Sequence, residues 1–121
     1  MEKATIVLEG GATRGVFTSG VLYYLMEKDL YFSNVIGVSA GSCNAVDYVS
    51  KQPGRTRDCM AMKEKRYRCV NKNPLRVIRT REIFNIDMVY NRYPNELFPF
   101  DYDTYFQSEL ACELVVTNCL T

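Results

Sequence analysis

The stretch Val35-Ile36-Gly37-Val38-Ser39-Ala40-Gly41 ends a short apolar run in a serine flanked by glycines, and the small residues Ser42-Cys43-Asn44-Ala45 follow it. Val35 to Val38 read as a buried strand and residues 42–49 as a helix. Between them, Gly37, Ala40 and Gly41 permit the sharp strand-to-helix turn of a nucleophile elbow, which lifts a hydroxyl clear of the backbone. A Gly-x-Ser-x-Gly string arises by chance in about 4% of chains this long, so its context must decide between an elbow and an idle serine in a glycine-bounded turn. The chain has no histidine, and these residues therefore cannot complete a Ser-His-Asp triad.

Upstream, residues 4–9 are rich in β-branched side chains and read as a strand buried on both faces, of the kind found in parallel sheets. Gly10-Gly11 ends it. From 15 to 29, Val16, Val21, Leu22, Leu25 and Met26 recur at helical spacing and predict an amphipathic helix. Residues 34–38 are then the second strand, and the order strand, helix, strand predicts a right-handed parallel crossover. Downstream, Pro53-Gly54 breaks the chain, and residues 56–67 read as a basic helix with Cys59, Met60 and Met62 on one side. Asn73-Pro74 breaks it again. Between 75 and 100 the aromatics Phe84, Tyr90, Tyr93, Phe98 and Phe100 alternate with prolines and charges without a clean period, suiting either a pocket wall or core packing. Asp101 reads as the N-cap of a short helix over 102–108, and 112–118 has the composition of a third strand.

The turn between the first strand and helix, Glu9-Gly10-Gly11-Ala12-Thr13-Arg14-Gly15, aims unpaired backbone N–H groups at one point beside a helix N-terminus. Alone it could cradle a phosphate. It lacks the Gly-Lys-Ser/Thr ending of a Walker loop, and Ala12 stands where the dinucleotide fingerprint has its middle glycine. Paired with Ser39 it gains a second meaning, because neighbouring parallel strands bring both loops to the same sheet edge, where open α/β sheets carry their active sites. Attack by Ser39 on an ester carbonyl creates an oxyanion that the N–H groups of Gly11, Ala12 and Ala40 could bind. One such donor is worth about 2.7–4 kcal/mol in a hydrolase.

With 121 residues, 47% apolar and 24% charged, the chain is expected to form a single domain over 1–121 with a real core. Its start lacks the basic, apolar and small-residue regions of a signal peptide, and its apolar runs are too short to span a bilayer, so a soluble cytoplasmic protein is the default. Cys43, Cys59, Cys69, Cys112 and Cys119 are odd in number and lack CxxC spacing, which predicts packed free thiols and neither a disulfide framework nor a metal site. Net charge is +1, yet eleven of the fifteen basic residues fall between Lys51 and Arg81, opposed there by Asp58 and Glu64 alone. That segment suits either a solvated helical face or a peripheral contact with anionic membrane. Nucleic acid is not expected, since no binding module accompanies the charge.

The stretch Leu8-Glu9-Gly10-Gly11-Ala12-Thr13-Arg14-Gly15-Val16-Phe17, followed by Gly37-Val38-Ser39-Ala40-Gly41, resembles the N-terminal part of a patatin-like phospholipase, with the flavour of the bacterial patatin family proteins. The resemblance runs from about Ala4 to the end of the chain. It implies an α/β fold, a parallel-sheet three-layer sandwich, present here only in its N-terminal part. It also implies a serine acyl hydrolase of lipids (phospholipase A, lysophospholipase or esterase) that needs no cofactor. Ser39 would be the nucleophile and Gly10-Gly11-Ala12 the oxyanion loop. Arg14 and Gly15 match the loop's basic position and final glycine, where Arg14 either attracts a substrate phosphate or pairs with Glu9.

Family members use a Ser-Asp dyad whose aspartate lies in a downstream Asp-Gly-Gly/Ala motif, and this chain holds no Asp-Gly pair. The chain therefore reads as an N-terminal fragment, inactive by itself, with the dyad aspartate outside it; Asp47, Asp58, Asp87, Asp101 and Asp103 do not take that role. Ala12 for the family's third glycine is the other departure, placing in doubt a positive φ there. Cys43 is expected to fill space beneath the elbow rather than react. Two rivals remain: a catalytically silent domain that binds lipid or a protein partner, and an α/β-hydrolase esterase. The latter is disfavoured because only 38 residues precede Ser39.

Overall fold

The structure is a computed structural model and describes residues 2–60, 73–81 and 87–120. Three strands, β1 (Glu2–Leu8), β2 (Phe32–Val38) and β3 (Ala111–Val115), form an all-parallel sheet in the order β1-β2-β3. Helix α1 (Gly15–Glu27) connects β1 to β2, and α2 (Ala40–Val49) leaves the end of β2. The chain has an α/β fold. Short helices follow: α3 (Arg55–Met60), α4 (Pro74–Thr80) and α5 (Tyr102–Gln107), with a π-helix over Met88–Leu97. The chain divides into two compact units, one of Met1–Arg57 with Asp101–Thr121 and one of Asp58–Phe100.

In the first unit, α2 packs against all three strands and against α1. The core joins Leu8, Val35, Leu22, Ala45, Tyr48 and Val49, with Ile6, Leu25, Met26, Tyr105, Leu110 and Cys112 packed around them. The register explains the choice. Ile6 pairs with Val35 and Val35 with Cys112, so one rung of the ladder points into the helical layer and its neighbours in sequence point away. Burial of a side chain such as Leu22 stabilises the unit by roughly 1.5–3 kcal/mol.

Two packing expectations are corrected here. β1 is not buried on both faces: Leu8 is its one buried residue, Ile6 is half-buried and Val7 is 64% exposed, because β1 is an edge strand covered on one face. Along α1 the buried residues are Gly15, Ser19 and Leu22, whereas Val21 faces solvent. The inward stripe thus runs through small residues, which let α1 approach α2 closely. Parallel pairing of β1 with β2 is as expected.

Tyr48 joins these elements. Its hydroxyl accepts from the Phe32 N–H at 2.9 Å and donates to the Leu30 carbonyl at 2.8 Å, tying α2 to the turn between α1 and β2. Gln52 performs a similar task at the exit of α2. Its Oε1 accepts from Ser50 Oγ at 3.1 Å and from the Asp101 N–H at 2.9 Å, linking that exit to the start of α5. Asp101 caps α5 as expected, accepting from the Thr104 N–H at 3.1 Å.

The second unit contains α4, capped by Asn73, and the π-helix, which accommodates Pro94. Among the described residues of this unit Met88 and Tyr93 are buried, with Tyr93 edge-on to Phe98 at 5.5 Å. Much of the basic helix expected over 56–67, including Met62, Lys63, Lys65 and Arg66, lies outside the described residues, as do Arg68, Cys69, Lys72 and Phe84. Among the described residues, no helix is long and apolar enough to cross a membrane.

Candidate active site

β2 delivers Ser39 to the C-terminal edge of the sheet, and α2 begins at the next residue. The intervening turn is as tight as a backbone allows. A Cβ on Gly37 would lie 2.5 Å from the Gly41 carbonyl oxygen, and one on Gly41 would collide with the Leu8 carbonyl of β1. Neither position tolerates a side chain, so both glycines of the motif are explained by close approach. Ser39 itself holds φ 56 and ψ −122, a sparsely populated conformation for a residue with a Cβ. It is exposed.

Serine at a helix N-cap ordinarily accepts a hydrogen bond from the first turn. Ser39 makes no such bond. The turn is held by other atoms, with the Ser42 N–H donating to the Ser39 carbonyl at 2.9 Å and Ser42 Oγ donating to the Gly37 carbonyl at 3.1 Å. Among the described residues, the Ser39 hydroxyl is thereby left without a hydrogen-bond partner.

The glycine loop arrives from β1. Leu8 pairs with Gly37 in the ladder, and continuing that register by two residues sets Gly10 opposite Ser39. A Cβ on Gly10 would stand 2.9 Å from Ser39 Cβ and 3.5 Å from its Oγ, so the missing side chain is what allows the two loops to touch. Gly11 (φ 140) and Ala12 (φ 51) then turn the chain into a 3-10 turn, Ala12–Arg14. Ala12 adopts a positive φ despite its Cβ, which removes the doubt its presence raised. Among the described residues, no hydrogen bond engages the N–H of Gly11 or of Ala12, and both residues are exposed.

Gly15 closes the loop against α2: a Cβ there would lie 3.2 Å from Ala40 Cβ and 3.4 Å from Asn44 Nδ2. Asn44, 1% exposed, donates from Nδ2 to the Gly15 carbonyl at 3.1 Å. Asn44 was not singled out from the sequence, where one polar residue among small ones at the start of a helix carries no periodic signal. Arg14 is exposed and, among the described residues, makes no ion pair; the contact with Glu9 does not form.

Asp47, two turns beyond the elbow, is a second buried polar residue with no motif or period in the sequence to mark it. It accepts from Arg55 Nη1 at 3.0 Å and from Thr56 Oγ1 at 2.5 Å. Burial pushes its carboxyl above the ordinary range, against the opposing pull of Thr56 and then Arg55. Cys43 is exposed and does not fill space beneath the elbow; Cys119 is exposed as well, whereas Cys59 and Cys112 are half-buried. No carboxylate among the described residues hydrogen-bonds to Ser39.

An open groove of about 460 Å³ lies away from these loops, lined by Asp29, Tyr31, Lys51, Thr104, Ser108 and Leu110 among others, and it includes no motif residue.

Known proteins bear on this arrangement. The family model for patatin-like phospholipase matches residues 6–115. The uncharacterized protein YjjU of Escherichia coli (strain K12) is 30% identical over 105 residues, a match that covers 84% of this chain and 28% of that protein. No solved structure matches. The family match takes in the glycine loop, the elbow and the three strands apart from the opening residues of β1, and on that extent the chain belongs to the patatin-like phospholipase family.

Proposed function

We propose that this chain supplies the nucleophile and the oxyanion-binding loop of a serine lipid acyl hydrolase whose general base is an aspartate outside these 121 residues. The supporting observation is the contact between Gly10 and Ser39: an exposed, strained serine with no capping bond stands against a loop whose Gly11 and Ala12 N–H groups are unengaged among the described residues.

In the proposed reaction Ser39 Oγ attacks the acyl carbonyl carbon while the aspartate accepts the hydroxyl proton. The carbonyl oxygen becomes an oxyanion, stabilised by the N–H groups of Gly11 and Ala12 together with that of Ala40. Collapse of the intermediate breaks the ester C–O bond, and the aspartate returns its proton to the departing alcohol. Water then attacks the acyl-enzyme by the same route and releases a fatty acid. Arg14, exposed beside the loop, suits the phosphate of a phospholipid head group. The basic segment 51–81 suits a peripheral contact with anionic membrane.

The coding sequence beyond Thr121 tests this first. It is expected to contain an Asp-Gly-Gly or Asp-Gly-Ala, and the protein that includes it is expected to be labelled at Ser39 by an alkyl fluorophosphonate, with labelling abolished by Ser39→Ala. The 121 residues alone are expected to show negligible turnover of a p-nitrophenyl ester. A stop codon after Thr121, or a folded longer protein that resists the probe, would replace this reading with that of a silent lipid-binding or partner-binding domain.

A further inference from the structure

Asn44 lies outside both glycine motifs, yet its side chain connects them. Three contacts run in series. Asn44 Nδ2 donates to the Gly15 carbonyl at 3.1 Å. The Gly15 N–H reaches back to the Ala12 carbonyl, and the Arg14 N–H donates to the Gly11 carbonyl at 3.0 Å. Each bond fixes the next peptide along, so the side chain of Asn44 anchors the end of the turn whose other end carries the Gly11 and Ala12 N–H groups. Asn44 also belongs to α2, the helix that begins beside Ser39. One rigid element thus holds the serine at its start and the glycine loop through its fifth residue.

The contact has a cost that points the same way. Asn44 is 1% exposed, and among the described residues its buried Oδ1 has no hydrogen-bond partner. An unsatisfied buried acceptor is destabilising, and an apolar residue of similar shape would relieve it. The Gly15 carbonyl does not depend on Asn44 for satisfaction either, since it opens α1 and its intrahelical bond remains available. Stability alone therefore favours a leucine at this position. What asparagine adds is a directed tether between the two loops.

We propose that Asn44 is a positioning residue, whose amide sets where the glycine-loop N–H groups stand relative to Ser39. The inference rests on the hydrolase reading for its consequence, though not for its geometry. Gly15 forms the other half of the device: it lacks a side chain because Ala40 and Asn44 occupy the space.

The test is amide hydrogen exchange on the full chain, read by NMR, for the wild type, Asn44→Leu and Gly15→Ala. Exchange of the Arg14 and Gly15 amides is expected to speed up about tenfold in both variants, the loss of one hydrogen bond's worth of local protection, while the β1 and β2 amides keep their wild-type rates. A purely structural role would instead move all of these amides together with the melting temperature. Unchanged loop exchange in a folded Asn44→Leu variant overturns the proposal, and so does failure of both Asn44→Leu and Gly15→Ala to fold. Fluorophosphonate labelling of the longer protein separates the two readings. Slower labelling in Asn44→Leu with unchanged β-strand exchange supports the tether. Absence of labelling in the wild type removes the hydrolase reading and leaves the loop measurement standing.

Discussion

Asp47 shows how a single side chain can be held against its own chemistry. It is 4% exposed and faces Arg55 and Thr56, yet desolvation outweighs both partners and raises its carboxyl above the ordinary value of 3.8. A carboxyl raised on folding is easier to protonate in the native state than in the unfolded chain. Its contribution to stability is therefore complete below the unfolded value and declines as pH rises through the folded one. Asp47→Asn removes that titration. The stability of the wild type relative to Asp47→Asn, measured by urea unfolding across a pH series, is expected to fall as pH climbs from about 4 upward. A relative gain over that range would mean that Arg55 and Thr56 prevail over burial. At the same scale Gly10, Gly37 and Gly41 were readable, because a residue with no side chain at a required close approach announces itself in the sequence. Asn44 and Asp47 were not: each depends on a partner that only the folded chain brings near, Gly15 from 29 residues away and Arg55 across the end of α2.

At the scale of elements, α2 organises the first unit. It carries the elbow at one end and three core residues, Ala45, Tyr48 and Val49, along its buried side. The Tyr48 hydroxyl serves two backbone groups at once, the Phe32 N–H and the Leu30 carbonyl. Tyr48→Phe would keep the ring, and its contact with Tyr31 at 5.1 Å, while leaving both groups without this partner. The expected loss is about 1–3 kcal/mol, read as a lower urea midpoint at an unchanged slope. An unchanged midpoint would show that water replaces the hydroxyl. The elements around α2 were legible because their signals are local: a β-branched run for β1, helical spacing for α1, Asp101 before α5. The π-helix over Met88–Leu97 was not, since wider winding and Pro94 erase the period that a reader looks for.

At the scale of the molecule, the sheet is covered unevenly. Pairing sets Val7 beside Ile36 and Val38 beside Val115, on the face turned away from Leu8 and Val35, and Val7 is 64%, Val38 38% and Val115 50% exposed. Sequence identifies these residues as fit for burial but does not say what covers them, so a β-branched run reads as buried on both faces where β1 is covered on one. An apolar sheet face beside an open edge strand favours association and dye binding in solution. Glu2 and Lys3 already place charge at the start of that strand. Val7→Lys extends this protection at a position with little packing to lose, so the stability of the 121-residue chain should change by no more than about 0.5 kcal/mol. Its weight-average mass in sedimentation, and its binding of a hydrophobic dye, should both fall relative to wild type. If instead Val7→Lys unfolds the chain, then Val7 packs against another part of the protein in solution, and the outward face of the sheet is a closed layer.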